Sequence, residues 1–376
     1  MQKIKGRRKL TRIVLTGGHG ATTAIATVQE LIKQSSNRQI WDIYWIGPKS
    51  AIEGTKIAPL EESFFPRLGV SLRPIITGRL QRHFSIYTIP SLLKIPLGLA
   101  MAFWHLVGLK PKVILSFGGY AAFPVVFAGF LLRIPVLIHE QTITFGRANK
   151  LSSIFASKIA LARKESIKYF PEKKCVVTGN PIMTQITDLA AKKKMTFPPT
   201  ILVTGGSRGS LTINNLIKPI LPKLLGEFHV IHQVGPMDFK EFIEIENKLP
   251  EALKTKYEVY SQVDPTQMGK FFKDADIVIA RAGANTVSEI MVTKIPSILI
   301  PIPWSFEDEQ TKNAMLAKEF GIAKVFEQEK ITPERLFKEV LFMAKNWDYF
   351  TSRVRRKVSP DIGASGRLVN LIKEYI

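Results

Sequence analysis

The chain has 376 residues, of which 45% are hydrophobic, and its 53 lysines and arginines against 31 acidic residues give a formal net charge of +22. This length is sufficient for two domains with their own cores. The single cysteine, Cys175, excludes an intramolecular disulfide framework and a cysteine-ligated zinc site, and is typical of a reducing cytosol. The charge favours a polyanionic partner (nucleic acid, anionic lipid or a phosphorylated substrate), unless it only reflects solvated lysines.

Short apolar, β-branched segments alternate with amphipathic helical segments along the chain. Such segments are typical of parallel strands buried on both faces, and the alternation predicts βαβ units. We therefore expect an α/β protein with two Rossmann-like, doubly wound parallel sheets facing each other across a cleft. The predicted strands are 12–16, 42–46, 112–116, 135–138, 157–161 and 175–178 in the first half, and 200–204, 228–233, 257–260, 276–280 and 297–301 in the second.

A polar linker separates the two halves. It covers 190–199, shortly after Gly179-Asn180-Pro181, and ends in two prolines, as inter-domain connections often do. We expect a first domain over 1–182 and a second over 183–354. The basic C-terminal segment 355–376 has a helical pattern, and we expect it to pack back on the first domain.

The segment 63–110 mixes large apolar side chains with cations. No stretch of the chain reaches the roughly 18–20 apolar residues of a membrane span, and the N-terminal residues lack the apolar core of a signal peptide. We therefore expect this segment to contact an anionic membrane surface. The alternative is the ordinary buried face of a helix beside a solvated face. Its apolar members are Phe64, Phe65, Leu68, Leu92, Leu93, Ile95, Leu97, Leu99, Met101, Phe103 and Trp104, and its cations are Arg67, Arg73, Arg79, Arg82, His83 and Lys94.

Two glycine turns follow predicted strands in the first half. They are Thr16-Gly17-Gly18-His19 and Ser116-Phe117-Gly118-Gly119-Tyr120. A strand, a tight glycine turn and a helix together bring backbone N–H groups up to a phosphate. His19 is a candidate proton acceptor near neutral pH, or it makes a purely local hydrogen bond. Tyr120 is a substrate contact or a core ring.

A polar cluster, His139-Glu140-Gln141-Thr142, comes directly after the strand at 135–138. Such side chains are costly to bury without partners, so the cluster indicates either a site or a structural hydrogen-bonding centre.

The second half repeats the glycine turn. The segment 204–210 (Thr-Gly-Gly-Ser-Arg-Gly-Ser) offers N–H groups, hydroxyls and a guanidinium to a diphosphate. In the segment 281–289, small residues precede Glu289, which suits two vicinal ribose hydroxyls or is an exposed helix carboxylate. Gln310 suits a sugar hydroxyl, or it caps a helix together with Asn313.

In this order, the motifs resemble those of the MurG family, the peripheral membrane N-acetylglucosaminyltransferases of bacterial peptidoglycan synthesis. The resemblance extends from Thr16 to Gln310. Its most specific part is the set of His139-Glu140-Gln141, Gly179-Asn180-Pro181 and Thr286-Val287-Ser288-Glu289. It implies the GT-B fold, with UDP-GlcNAc bound mainly by the second domain. It also implies inverting transfer of GlcNAc to the 4-hydroxyl of undecaprenyl-diphospho-muramoyl-pentapeptide (lipid I), which gives lipid II.

The resemblance further implies a peripheral enzyme at the cytoplasmic face of the cell membrane, on the anionic inner leaflet. It implies no cofactor and no metal in the site, and other cell-wall enzymes are candidate partners. We expect no nucleic-acid partner, because no nucleic-acid recognition motif accompanies the charge.

Residue roles follow from the same resemblance, position by position. His19 matches the family's candidate base, and Tyr120 and Gln141 match positions on the acceptor or sugar side. The expected donor-binding residues include a backbone contact to uracil, a phosphate and ribose loop, and a contact to the GlcNAc hydroxyls. They are Thr16, Gly17, Gly18, Thr142, Gly206, Ser207, Val263, Ala284, Asn285, Thr286, Val287, Ser288, Glu289 and Gln310.

The sequence departs from the family pattern in three places. The family usually has a longer glycine loop before its histidine, whereas here His19 is followed by Gly20-Ala21-Thr22-Thr23. In addition, Thr142 replaces a usual asparagine, and Met183 replaces a usual arginine. Arg208 and Arg281 are candidates to replace the lost donor contacts. The departures leave open a GT-B transferase with another glycolipid acceptor, and a non-catalytic membrane-surface scaffold of the same fold.

Overall fold

The computed structural model describes residues 9–18, 21–35, 39–49, 60–78, 88–206 and 208–376. The chain divides into two compact units. The first comprises Met1–Met183 with Gly363–Ile376, and the second comprises Thr184–Ile362. The sequence placed these boundaries after residues 182 and 354.

The first unit is built on a seven-stranded parallel sheet. Its strands are β1 (Lys9–Thr16), β2 (Gln39–Pro48), β3 (Ser71–Ile75), β4 (Val113–Ser116), β5 (Val136–Glu140), β6 (Lys158–Leu161) and β7 (Cys175–Val177). Across the sheet the order is β3-β2-β1-β4-β5-β6-β7, and all pairs are parallel. Both β4 and β5 are buried along their whole length, as strands between two helical layers are.

Five helices of the first unit lie between these strands. Val125 and Val126 of the fourth helix share one core cluster with Ile114 and Ile138 of the sheet. The helices are α1 (Ala21–Lys33), α2 (Leu60–Phe64), α3 (Thr88–Leu109), α4 (Ala122–Leu131) and α5 (Arg147–Ser152), with 3-10 segments at Pro66–Leu68, Lys164–Tyr169 and Glu172–Lys174.

The second unit is built on a six-stranded parallel sheet. Its strands are β8 (Thr200–Thr204), β9 (His229–Gln233), β10 (Tyr257–Tyr260), β11 (Ile277–Ala280), β12 (Ser297–Leu299) and β13 (Ala323–Val325), in the order β10-β9-β8-β11-β12-β13. The helices are α6 (Thr184–Thr187), α7 (Leu211–Ile217), α8 (Leu221–Glu227), α9 (Phe239–Lys248), α10 (Glu251–Lys254), α11 (Met268–Asp274), α12 (Ala284–Thr293), α13 (Glu309–Phe320), α14 (Pro333–Lys345) and α15 (Trp347–Val354). Its 3-10 segments are Lys218–Ile220, Pro265–Gln267 and Phe306–Asp308.

The last helix, α16 (Ala364–Lys373), belongs to the first unit. Arg367 donates from Nε to the carbonyl oxygen of Thr178 over 2.8 Å, and Lys373 binds Gln34 at the end of α1. Leu368 and Ile372 of α16 are fully buried. The chain therefore returns to its first unit at its C-terminal end.

The prediction of two doubly wound parallel α/β sheets is confirmed, and each of the eleven predicted strands is present. Two further strands, β3 and β13, were missed. Both are edge strands in their sheets. Each is partly exposed and contains polar or proline residues, namely Arg73 and Pro74 in β3 and Lys324 in β13. These polar and proline residues interrupt the continuous apolar pattern used for prediction, whereas the other two edge strands, β7 and β10, were predicted.

The segment 63–110 divides between core and surface. Phe64 and Phe65 are buried, and the Phe65 ring packs edge-on against Trp45 with centroids 4.7 Å apart, so the alternative of an ordinary buried face applies to them. By contrast, Leu97 and Trp104 on α3 are exposed. Arg79, Arg82 and His83 lie outside the described residues. Among the helices of the described ranges, none has the length and apolarity required to span a membrane.

Candidate functional site

In the first unit, two glycine turns meet at the carboxyl edge of the sheet. The strand order reverses between β1 and β4, which are neighbours, and Thr16 at the end of β1 pairs with Ser116 at the end of β4. Gly18 donates its N–H to the carbonyl of Gly118 over 2.9 Å. A Cβ on Gly119 would lie 2.7 Å from the nitrogen of Gly18, so only glycine permits this approach. In doubly wound sheets, such a switch point is where ligands bind.

Two of the predicted catalytic residues, Tyr120 and Gln141, lie at the same edge. Tyr120 directly follows the second turn and is half-buried. Gln141, after β5, donates from Nε2 to the carbonyl of Phe117 over 3.3 Å, which ties it to that turn. Thr16 and Gly17 are buried and Gly18 is partly exposed. His19 lies outside the described residues, so its role as base stays a prediction.

Glu140 is the centre of a buried hydrogen-bonding network. Its carboxylate accepts from the N–H of Gly146 at 2.7 Å and the amide of Asn149 at 3.0 Å. It also accepts from the N–H and the hydroxyl of Thr142 at 3.2 and 3.1 Å. Burial nevertheless raises the pKa of Glu140 above its usual range. Of the two alternatives for this cluster, Glu140 has the structural role, whereas Gln141 and Thr142 are partly exposed.

Two departures from the family pattern have a structural explanation. The Thr142 hydroxyl is engaged by Glu140, and the Thr142 carbonyl accepts from Ser166 Oγ at 2.8 Å. Met183 is 2% exposed, so it is a core side chain of the first unit. Neither side chain presents a free polar group in place of the usual asparagine or arginine.

In the second unit, the equivalent switch point lies between β8 and β11. Thr204, at the end of β8, pairs with Ala280, at the end of β11. The loop after β8 is tightly folded: Gly206 donates to Thr204 Oγ1 over 3.0 Å, and Gly209 donates to the carbonyl of Gly206 over 2.9 Å. The following helix, α7, begins at Leu211, and its N-cap Ser210 accepts through its side chain from the N–H of Ile213. Ser207 lies outside the described residues, so its diphosphate contact stays a prediction.

Arg281 is a buried cation beside this loop. It donates from Nε to Ser210 Oγ at 2.9 Å, from Nη1 to the carbonyl of Ile300 at 3.0 Å, and from Nη2 to Gln328 Oε1 at 2.7 Å. Burial lowers the pKa of Arg281. Its hydrogen-bond acceptors in the described part of the chain are all neutral, so its charge is not cancelled by a carboxylate. The guanidinium therefore fixes the loop and adds positive potential there.

The predicted phosphate and ribose residues form the first turns of α12. Gly283 precedes the helix, Ala284–Thr286 are partly exposed, and Val287–Glu289 are buried. Glu289 is 8% exposed, and burial raises its pKa to about 8. This carboxyl is therefore not the exposed helix carboxylate of the alternative interpretation. A buried acid at a switch point is typical of a functional group.

Gln310 and Val263 lie on other parts of the same carboxyl edge. Gln310, in the first turn of α13, accepts through Oε1 from the N–H of Ile302 at 3.1 Å. Its neighbour Asn313 donates to the carbonyl of Ala282 at 3.3 Å, which links α13 to the segment before α12. Val263 is half-buried in the loop after β10. No group of three or more His, Cys, Asp or Glu side chains in the described residues is arranged to hold a metal ion.

Sequence reasoning missed a buried polar pair at the end of β9. His232 and Gln233 are both buried, and Thr204 donates to Gln233 Oε1 over 2.7 Å. The available signal was the same as at His139-Glu140, where polar residues end an apolar strand.

Two parallel-sheet units with glycine turns at their switch points define the GT-B class of fold. The family model of the glycosyltransferase family 28 N-terminal domain matches residues 15–161, and that of the C-terminal domain matches residues 200–360. The chain belongs to glycosyltransferase family 28, and the family resemblance seen in the sequence is confirmed.

Curated relatives match over nearly the whole chain. One from Bacillus cereus is 31% identical over 92% of this chain and 95% of its own length. One from Clostridium kluyveri is 31% identical over 97% of this chain and 100% of its own. Both are named as UDP-N-acetylglucosamine–N-acetylmuramyl-(pentapeptide) pyrophosphoryl-undecaprenol N-acetylglucosamine transferases.

Solved structures share the fold. The crystal structure of Acinetobacter baumannii MurG has a TM-score of 0.66 and 24% identity, and covers 97% of this chain and 99% of that one. A UDP-GlcNAc 2-epimerase from Neisseria meningitidis, bound to UDP-GlcNAc, has a TM-score of 0.66 and 13% identity, and covers 97% of this chain and 100% of its own. At these identities the likeness concerns the fold alone.

Proposed function

We propose that this protein transfers N-acetylglucosamine from UDP-GlcNAc to the 4-hydroxyl of undecaprenyl-diphospho-muramoyl-pentapeptide, with inversion at the sugar C1. The names of its curated relatives describe this transfer. The single structural observation that supports it most is Glu289, a buried carboxyl in the second turn of α12, the helix that follows β11 at the switch point of the second sheet. A carboxylate in that position suits the two vicinal hydroxyls of a ribose.

In this proposal the donor lies along the carboxyl edge of the second sheet. Glu289 accepts from the ribose hydroxyls, and Ala284–Ser288 contact the ribose and the phosphates. Gly206 and Ser207 contact the diphosphate, and the positive charges of Arg208 and Arg281 favour it. The backbone of Val263 contacts uracil, and Gln310 contacts the GlcNAc hydroxyls.

The chemical step of this proposal uses the predicted catalytic residues His19, Tyr120 and Gln141. His19 takes the proton of the acceptor 4-hydroxyl, whose oxygen forms a bond to C1 while the bond from C1 to the UDP oxygen breaks. Tyr120 and Gln141 orient the acceptor and the sugar. UDP leaves with its charge stabilised by the loop of the second unit, and no metal ion takes part in this scheme.

The place of action in this proposal is the cytoplasmic face of the cell membrane. The net charge of +22 favours an anionic inner leaflet. Exposed Leu97 and Trp104 on α3 and exposed Arg73 on β3 belong to the same mixed segment, 63–110, and are suited to an interfacial contact.

The test is UDP release from UDP-GlcNAc by the purified protein, with and without a lipid I analogue in detergent. We expect release only when the analogue is present. Release with a different glycolipid but not with lipid I indicates another acceptor. Absence of release, together with no rise in melting temperature in millimolar UDP, indicates the non-catalytic scaffold.

A further inference from the structure

A chain of buried hydrogen bonds runs from β10 through β9 to α7 in the second unit. His232 of β9 is fully buried. Its Nδ1 lies 3.0 Å from the hydroxyl of Tyr257, and its Nε2 lies 3.1 Å from Oδ1 of Asn214 on α7. None of these three residues belongs to the donor contacts proposed above, so the role of the network needs its own explanation.

The partners of Asn214 fix the direction of each hydrogen bond. Its Nδ2 donates to the carbonyl of Val234 at 2.8 Å and to Asp238 Oδ2 at 2.6 Å, so this atom is the amide nitrogen. Its Oδ1 can then only accept, and His232 must hold its proton on Nε2. Tyr257 therefore donates to Nδ1. Burial lowers the pKa of His232 to about 3, so the ring stays neutral in this one tautomer.

The same network ends at the loop after β8. Asn214 holds the carbonyl of Val234, and the loop packs on that carbonyl: a Cβ on Gly209 would lie only 2.0 Å from the Val234 oxygen. The next residue along β9 acts on the other end of the loop. Gln233 Oε1 accepts a hydrogen bond from the Thr204 hydroxyl, and Thr204 Oγ1 in turn accepts a hydrogen bond from the N–H of Gly206.

We propose that His232 is a positioning residue for the donor diphosphate, because it holds α7 and the 205–210 loop against β9 through Asn214. The inference rests on the proposed function, since it assumes that UDP binds at this loop. His232 does not touch the donor. The loop is rich in glycine, whose backbone can adopt many conformations, so its shape depends on buried contacts such as these.

Two substitutions separate the two ring nitrogens. The amide nitrogen of glutamine reaches the position of Nε2, so His232→Gln keeps a donor for Asn214. Asparagine is shorter and reaches only the position of Nδ1, so His232→Asn keeps a partner for Tyr257 and loses Asn214. The control is Phe242→Leu, which removes the ring that packs edge-on against His232 with centroids 4.9 Å apart but leaves the network intact.

The measurements are the Kd of UDP by calorimetry, KM and kcat for UDP-GlcNAc, and the melting temperature. We expect His232→Asn to raise the Kd of UDP and the KM about tenfold, with kcat changed less than about twofold, because one buried hydrogen bond is lost. We expect His232→Gln to remain within about threefold of the unsubstituted protein. Phe242→Leu should lower the melting temperature while the Kd remains unchanged.

An unchanged Kd of UDP in His232→Asn overturns this inference but not the proposed donor site. A rise in the Kd of Phe242→Leu as large as that of His232→Asn has the same consequence. If the unsubstituted protein does not bind UDP, the inference and the proposed donor site are both overturned. If His232→Asn does not fold, Asn214→Ala provides the same comparison from the α7 side, with the same expected rise in Kd.

Discussion

At the scale of single residues, burial sets the charge state of Glu289. With a folded pKa of about 8 against a usual value of 4.5, the unfolded chain releases its proton at lower pH than the folded protein does. Between these two values the folded state binds more protons, so this residue makes folding less favourable as pH rises. The carboxylate is nevertheless the form that can accept from two ribose hydroxyls.

We expect Glu289→Gln to remove this pH dependence. In the unsubstituted protein the residue lowers the free energy of unfolding of the second unit by up to about 1.4 kcal/mol per pH unit from pH 4.5 to about 8. Urea denaturation at a series of pH values measures the slope for both proteins. If the free energy of unfolding depends on pH with the same slope in both proteins, Glu289 is already ionised at neutral pH.

His19 is the residue on which the chemical step depends. We expect His19→Ala to lower kcat by about 10²–10⁴-fold, the usual contribution of a general base, with little change in the Kd of UDP. Steady-state UDP release and calorimetry measure the two quantities separately. An unchanged kcat removes His19 from the mechanism.

The sequence predicted which residues are candidates for the site, but it did not predict whether their side chains are buried or what those side chains contact. Glycine turns and the Thr-Val-Ser-Glu motif are local patterns, so Gly206 and Glu289 could be predicted as donor contacts from the chain alone. Whether Glu289 is buried or exposed depends on how α12 packs, which no local pattern encodes. The hydrogen-bonding network of His232 could not be predicted because its partners, Asn214 on α7 and Tyr257 on β10, are distant in sequence and meet only in the folded unit.

At the scale of loops and helices, two glycines of the second unit differ in whether the fold can accept a side chain in their place. Gly209 has a φ of +75° and no space for a Cβ beside Val234, whereas exposed Gly226 on α8 has nothing within 4 Å of an added Cβ. We expect Gly209→Ala to destabilise the unit by more than about 1 kcal/mol and to weaken UDP binding. Gly226→Ala should stabilise it by about 0.5–1 kcal/mol. Thermal unfolding with and without UDP measures both, and equal effects would contradict the geometry of the loop.

The helix α16 should stabilise the first unit although it lies at the far end of the sequence. Leu368 is fully buried, and Leu368→Ala should cost about 2–5 kcal/mol. The matched control is Asn370→Ala on the exposed side of the same helix, with an effect within about 0.5 kcal/mol. Urea unfolding followed by hydrogen exchange in β1 and β4 assigns the loss to the first unit. A loss confined to the second unit contradicts this assignment.

The elements themselves were predictable where burial is two-sided. The pattern of apolar, β-branched residues identified β4, β5 and β11, which lie inside their sheets. It also identified the edge strands β7 and β10, but it did not identify β3 or β13, whose polar or proline residues interrupt the apolar pattern. A local pattern does not show where a segment lies in the folded sheet. For the same reason, the apolar residues of 63–110 could not be divided into core and surface from the sequence: Phe65 and Trp104 have the same hydrophobic character and opposite exposures.

At the scale of the whole molecule, the charge and the exposed tryptophans make membrane association measurable. The protein has two strongly exposed tryptophans in different units: Trp104 on α3 is 71% exposed, and Trp304 after β12 is 70% exposed. An indole at a lipid interface buries its ring while its N–H stays hydrated. If the first unit makes the contact, only Trp104 should contribute to binding.

We expect Trp104→Ser to weaken binding to vesicles containing phosphatidylglycerol about fivefold, equivalent to ~1 kcal/mol of apolar burial, whereas Trp304→Ser leaves binding unchanged. Raising the salt concentration should weaken binding of all three proteins by a similar factor, because the attraction of +22 charges to the surface is screened while the tryptophan contribution is not. Vesicle co-sedimentation at several salt concentrations separates the two contributions. Equal losses of vesicle binding in the two variants would mean that neither tryptophan marks a specific contact surface. A loss of binding confined to Trp304→Ser would place the membrane contact on the second unit.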